Sequence, residues 1–240
     1  MQLTEQSVNF GIYNSYDEWG LILEDYDISY PEQKKEFVEV PGKFDTYIDA
    51  TYSLVNYPIY ERRTGKFKFK IFNSVIPSKF QTWQSLADDI ANKTHGKKMK
   101  IILNENKNFF YEGYVSISDK NLRDSSVGKL EIECDLYPYK KSIREFVFRW
   151  NARSGYKIPS TLKKMNFGRM PTKVRVEIEG NIENDVNILV HDKESSTTET
   201  YSYNLYRSFN VWGSIYDIEL SGYGENDNFN IIMRYERGEF

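Results

Sequence analysis

The chain has 240 residues, enough for one large β domain or two ordinary ones, each with a true core. Its 40% apolar and 28% charged composition is that of a soluble protein. No apolar run approaches the roughly 20 residues a membrane-spanning helix needs, so membrane insertion is not expected. Cys134 is the sole cysteine, which excludes an internal disulfide. The N-terminal MQLTEQSVNF has neither the basic region nor the apolar stretch of a signal peptide, so synthesis and folding in a cytoplasm are expected.

Aromatic content is 16%, with 19 Tyr and 15 Phe. Such residues fit a pleated, half-buried surface and favour β structure. A sugar-stacking or interface-rich surface is the functional reading of the same excess.

Residues 1–30 read as an irregular β opening with turns at Asn9–Gly11 and Asp17–Gly20. Val38 and Val40 alternate with Glu39; Pro41-Gly42 breaks the strand and Ile48–Thr51 resumes it. In GKFKFKIF, Phe67, Phe69 and Ile71 point one way and Lys66, Lys68 and Lys70 the other. The lysines are read as a solvated or edge-guarding face rather than a nucleic-acid contact.

Pro77–Gly96 is the one window that reads as a long amphipathic helix, placed at 79–94. Phe80, Trp83, Leu86, Ala87, Ile90 and Ala91 recur at three- and four-residue steps, which puts Trp83 on the buried side. Ser78 and Gln81 are spaced for a capping box, Lys93 and His95 suit the negative end of the dipole, and Gly96 suits a left-handed C′ position. Next come a hairpin, Lys100–Leu103 and Phe109–Ser118, and the strand GKLEIECDLYP, where Cys134 falls in register with Leu130, Ile132 and Leu136 as a small buried hydrophobe.

Charge marks a further division. Lys140–Arg175 holds eleven Lys/Arg and one acid, whereas Val176–Phe240 holds four against thirteen. The basic stretch is rich in Gly, Pro and Ser, so 140–171 is read as a connector between a domain at 1–139 and a second at 172–240. No RNA- or DNA-binding motif accompanies the charge, so no specific nucleic-acid partner is expected. The last part is β throughout, with strands at Lys173–Gly180, Asn187–Asp192, Thr200–Tyr206, Ile215–Gly222 and Phe229–Glu236, a spacing that indicates a sandwich.

No catalytic constellation stands out. His95 and His191 have no partners at metal-ligand spacing, and there is no P-loop or GxSxG elbow. Asp88, Asp89, Asp217 and Glu219 are acids that a glycosidase pair could draw on, but abundant acids on solvated faces explain them equally. The expectation is a non-enzyme with no cofactor and no metal. Tyr206, Trp212, Tyr216 and Tyr223 are the candidate carbohydrate or partner contacts.

Several stretches, in order, resemble the distal tail protein (Dit) family of long-tailed bacteriophages. They are Tyr16-Asp17-Glu18-Trp19-Gly20-Leu21; Val38–Gly42 with Ile48-Asp49; the Trp83 helix ending in His95-Gly96-Lys97; and Phe110-Tyr111-Glu112-Gly113. Cys134–Lys140 is similar to the family's junction between domains. Asn166-Phe167-Gly168 with Pro171 and the strand after it is similar to the start of its second domain. The chain departs from the pattern at Lys43-Phe44-Asp45-Thr46, where family members carry a second glycine, and 181–240 matches only in β character.

The resemblance implies a mainly β fold: a tail-tube-like β-sandwich with one packed helix, then a galectin-like or carbohydrate-module-like β-sandwich. It implies six copies in a ring at the end of a tail tube, inside a virion tail tip or baseplate. The implied partners are the chain itself, the tail tube protein, a tail-associated tip protein, and receptor-binding or baseplate proteins. The alternative is a carbohydrate-binding sandwich whose partner is a host-surface glycan.

Overall fold

The computed structural model describes residues 7–39, 47–51, 57–80, 82–121, 127–152, 163–183, 185–192, 196–212, 215–221 and 228–240. Two compact units divide the chain, Met1–Ile143 with Phe240 and Arg144–Glu239. Both are built mainly from β-sheet, in sandwich-like arrangements.

In the first unit, strands β1 (Val8–Phe10), β2 (Tyr13–Asn14), β3 (Ile22–Ile28), β6 (Arg63–Phe72), β7 (Lys98–Leu103), β8 (Phe109–Asn121) and β9 (Val127–Leu136) form one antiparallel sheet, in the order β2-β1-β7-β8-β9-β6-β3. A short β10 (Lys140–Ser142) adds to β8. The alternation in β6 is as expected: Phe67, Phe69 and Ile71 are buried, and Lys66 and Lys68 are exposed beside Glu133 (3.7 Å) and Asp25 (3.8 Å). In sheet order β1 and β6 stand four places apart, about 19 Å in a flat sheet. Yet the Phe10 ring centroid lies 5.9 Å from that of Phe67 and 6.1 Å from that of Phe69. The sheet therefore curls until its two ends face each other across a core that includes Ile101, Val115, Ile132 and Cys134.

Among the described residues, two α-helices with both ends defined accompany this sheet. The first, α1 (Ser15–Trp19), occupies the stretch read as a turn at Asp17–Gly20. Asn14 caps it, accepting from the backbone N–H groups of Tyr16 (2.9 Å) and Asp17 (3.1 Å). Gly20 ends it in the left-handed region, at φ +69°, and a Cβ there would come within 2.7 Å of the Val75 carbonyl oxygen. The second, α2 (Trp83–Thr94), starts later than the expected residue 79. The cause is the turn before it, where the Phe80 N–H bonds the Pro77 carbonyl at 2.9 Å. The capping box is consequently Thr82 with Ser85, not Ser78 with Gln81, and Gln81 lies outside the described residues. Leu86 and Ile90 are fully buried, while Trp83 packs against the same core only half-buried. Gly96 follows with φ +73°, as expected.

In the second unit, β11 (Phe146–Ala152), β13 (Thr172–Asn181), β16 (Ser208–Val211) and β18 (Asn228–Tyr235) form a sheet in the order β11-β18-β13-β16. The strands β12 (Lys163–Asn166), β14 (Asn187–Asp192), β15 (Thr198–Ser202) and β17 (Ile215–Ser221) form another, β12-β17-β14-β15. Their inner faces share one core: Val174, Val176, Phe229, Ile231 and Met233 from one sheet, Met165, Ile188, Val190, Ile218 and Leu220 from the other. Within the stretch read as a basic connector, β11 and β12 are hydrogen-bonded members of these two sheets. Residues 153–162, its Gly/Ser-containing part, lie outside the described residues. Strands of the basic and acidic stretches are thereby interleaved in both sheets, while the ion pairs Arg175–Glu145 and Arg234–Glu177 (3.4 Å) each form within one stretch.

Candidate functional site

The motif Tyr16–Leu21 is a structural joint. Trp19 is 0% exposed, and its indole Nε1 donates to Asp89 Oδ2 at 2.9 Å, tying α1 to α2. Lys93 completes the joint, 2.9 Å from Asp89 and 2.6 Å from Glu18, while Lys79 reaches Glu18 at 2.7 Å. Hydrogen bonds from Lys79 and Lys93 hold the Glu18 carboxyl below its ordinary value of 4.5. Asp89 thus has a packing role. Asp88 is exposed and accepts from Gln84 at 2.6 Å.

The other chemistry-bearing residues are also accounted for by the fold. Burial pushes the Cys134 thiol up to about 12, which leaves almost no thiolate at neutral pH. His95 Nδ1 accepts from the Ile117 N–H at 3.1 Å. His191 lies 2.8 Å from Thr198 Oγ1 and 3.4 Å from Glu219. Asp217 is buried on the same strand as Glu219. Among the described residues, no three His, Cys, Asp or Glu side chains converge in a way that could hold a metal.

The four aromatic residues expected at a sugar or partner contact are placed differently from one another. Tyr216 is 5% exposed and belongs to the core, packed edge-on to Phe167. Its hydroxyl accepts from the Trp212 N–H at 2.7 Å and donates to the Trp212 carbonyl, so it anchors that segment instead of offering a ring face. Tyr206 and Trp212 are exposed, at opposite ends of β16. Tyr223 lies outside the described residues. The expected strand Thr200–Tyr206 ends at Ser202: Tyr203 is buried, Leu205 is 77% exposed, and the Tyr206 N–H turns back to the Ser202 carbonyl at 2.8 Å.

The surface that calls for a partner is in the first unit. Between β3 and β6 the chain makes an excursion with a paired stem: Lys34 N–H bonds the Ile59 carbonyl and Glu61 N–H the Glu32 carbonyl, both at 2.8 Å. The excursion carries a two-stranded ribbon, β4 (Phe37–Glu39) with β5 (Tyr47–Asp49), which pairs with no other strand among the described residues. Val38 lies opposite Ile48, and both are exposed, as are Phe37 on the other ribbon face and Tyr30 near the stem. A lone ribbon is marginal in water, and exposed apolar residues clustered on one are a mark of an interaction surface. The signal available in the sequence was the apolar alternation around Pro41-Gly42, which reads as an ordinary strand because nothing local shows that the ribbon leaves the sheet.

No protein-family model matches the chain, and no curated protein matches it. Among solved structures, it is similar to the crystal structure of the SPP1 Dit (gp 19.1) protein, described as a paradigm of the hub adsorption apparatus in phages that infect Gram-positive bacteria. The TM-score is 0.57 at 9% sequence identity, over 96% of this chain and 98% of that one. At that identity the likeness is one of fold, and it extends through both units.

Proposed function

We propose that this chain is a structural hub of a bacteriophage tail: copies assemble, six to a ring, at the end of the tail tube and join it to the tip or baseplate. The observation that carries the reading is the fold likeness to a phage Dit protein along nearly the whole length of both chains. The ordered motifs from Tyr16 to Gly180 agree with it, and the exposed ribbon β4–β5 supplies a surface that ring contacts would cover. In this reading the first unit forms the ring, the second docks receptor-binding or baseplate proteins, and the protein is a virion component without enzymatic activity.

Electron microscopy and native mass spectrometry of the concentrated full chain, alone and with a tail tube protein, test the proposal. Six-membered rings are the expected result. Monomers in both preparations would count decisively against it.

A further inference from the structure

Each unit carries an exposed surface of aromatic and charged residues, and the two are opposite in sign. On the first unit it lies on the outward face of β7, β8 and β9, beside Arg62 at the entry to β6. Antiparallel register sets Tyr114 between Lys98 and Asp135, and Lys100 opposite Glu112. The Arg62 guanidinium carbon stands 4.5 Å from the centre of the Tyr137 ring and 5.3 Å from that of Tyr114, which is 46% exposed. Lys98 Nζ stands 4.8 Å from the Tyr137 ring. Asp135 holds Arg62 at 2.7 Å, and Glu112 is shared by Lys98 at 2.9 Å and Lys141 at 3.3 Å. Arg62, Lys98, Lys100 and Lys141, four cations, thus share two carboxylates, a net of +2. Tyrosine and arginine together are the composition of an interface centre, since both bring large, stiff contact area with a polar tip.

On the second unit it is the turn between β15 and β16, where Leu205 is 77% and Tyr206 53% exposed. The turn is nonetheless well fastened. The Tyr206 N–H returns to the Ser202 carbonyl at 2.8 Å, and the Tyr203 hydroxyl accepts from the Ile178 N–H at 3.1 Å. Asp185 accepts from the Ser202 hydroxyl and from the Asn204 N–H. A turn held in this way offers Leu205 and Tyr206 to a partner at little further cost in chain entropy.

Its surroundings are acidic. Asp185 ties the turn itself, and Glu183 is exposed on the same β13–β14 connection. Glu199 reaches the hydroxyl of Tyr201, whose ring packs edge-on to Tyr206 with centroids 6.0 Å apart. Arg207 is a nearby cation, lying over the Tyr203 ring at 3.9 Å. Those three carboxylates against one guanidinium give a net of −2, within a stretch, Val176–Phe240, that holds thirteen acids against four Lys/Arg.

We propose that these surfaces bind each other between copies: the Leu205–Tyr206 turn of one copy seats on the face of a neighbouring copy that carries Arg62, Tyr114 and Tyr137. That the partner is a second copy rests on the self-assembling hub reading above. Opposite potentials steer the two surfaces together, and burial of Tyr114, Leu205 and Tyr206 stabilises the contact.

Zero-length carbodiimide cross-linking of the full chain tests the contact, with natural-abundance and nitrogen-15-labelled copies mixed so that links between copies are told from links within one. The reagent condenses a carboxylate with an amine in ion-pair reach. Links between copies from Lys98 or Lys100 to Glu183, Asp185 or Glu199 are expected at about 50 mM salt and should fade at about 500 mM. In sedimentation, Leu205→Asp and Arg62→Glu should each weaken self-association about tenfold or more. Both positions are exposed, so the Tm of either variant should stay within about 2 °C of wild type. Lys129→Glu, at the far end of β9 and exposed, should leave self-association unchanged.

Rings whose links between copies avoid these residues, and which Leu205→Asp and Arg62→Glu leave intact, overturn the contact and keep the ring reading. The same links found only within single copies also overturn it. The expected links in pairs or open chains, without six-membered rings, keep the contact and sink the ring reading. A chain that stays monomeric in low salt, alone and with a tail tube protein, overturns both.

Discussion

The two units reach a buried core by different routes. In the second, two four-stranded sheets lie face to face, and each strand contributes its alternate residues in a distributed way. In the first, one sheet curls on itself, and the joint between α1 and α2 depends on a single large side chain, Trp19, held by Asp89. A core shared among many similar residues tolerates the loss of any one. The first core is also shared among many residues, but Trp19 both fills it and ties α1 to α2, so its loss should be felt more than that of any one residue of the second, a difference that hydrogen exchange measures unit by unit.

The largest effect is expected at Trp19. Trp19→Ala removes a fully buried indole and its hydrogen bond to Asp89, and should cost the first unit about 3–5 kcal/mol while leaving protection in the second unchanged. Equal loss in both units would mean that they unfold together. Ile231→Val in the second unit's core should cost about 0.5–1.5 kcal/mol; a cost as large as that of Trp19→Ala would erase the contrast.

Asn14→Ala removes the cap of α1 and should cost the first unit about 1 kcal/mol in thermal or urea unfolding. No change would show that Gly20 and Trp19 alone position that helix.

The ribbon substitutions Val38→Asp and Ile48→Asp touch exposed positions and should change stability by no more than about 0.5 kcal/mol. In the ring reading they nonetheless abolish assembly in native mass spectrometry, and intact rings would exclude the ribbon from the contacts.

The smallest effect is the pH dependence of the joint. Glu18 is partly exposed, so its pairs with Lys79 and Lys93 are worth at most about 1 kcal/mol after solvent screening. Its folded pKa lies below 4.5, so this contribution is present above pH 4.5 and disappears as pH falls through the folded value. Urea unfolding of wild type and Glu18→Gln should therefore differ at pH 6 and converge in acid. A difference that persists to pH 2 would have to come from packing.

Periodicity made much of this readable in advance. The inward Phe67, Phe69 and Ile71, the Cys134 strand, the helix carrying Leu86 and Ile90, and the second unit's Val174, Val176, Ile188 and Val190 all declare their faces by spacing alone. What spacing hid has physical causes. Thr82 replaced Ser78 as the cap because a turn at Pro77–Phe80 occupies the residues before it. The short helix at Ser15–Trp19 is barely more than one turn, too brief to show a period. Helical spacing predicts Trp83 as the buried tryptophan, whereas Trp19 takes that place through a partner seventy residues away. The charge contrast between 140–175 and the acidic remainder does not separate a connector from a sandwich, since strands from both stretches share the same two sheets.

The sequence by itself determined that this is a mainly β protein with an amphipathic helix and a small buried cysteine, because local alternation acts over a few residues. Only the tertiary structure decided which tryptophan is fully buried in the first core, which tyrosines are buried, that a ribbon leaves the sheet with its apolar residues exposed, and that Arg63 lies inside the sheet. Those outcomes depend on how distant strands meet when the sheet curls, and burial belongs to that meeting, not to any residue's neighbours in sequence.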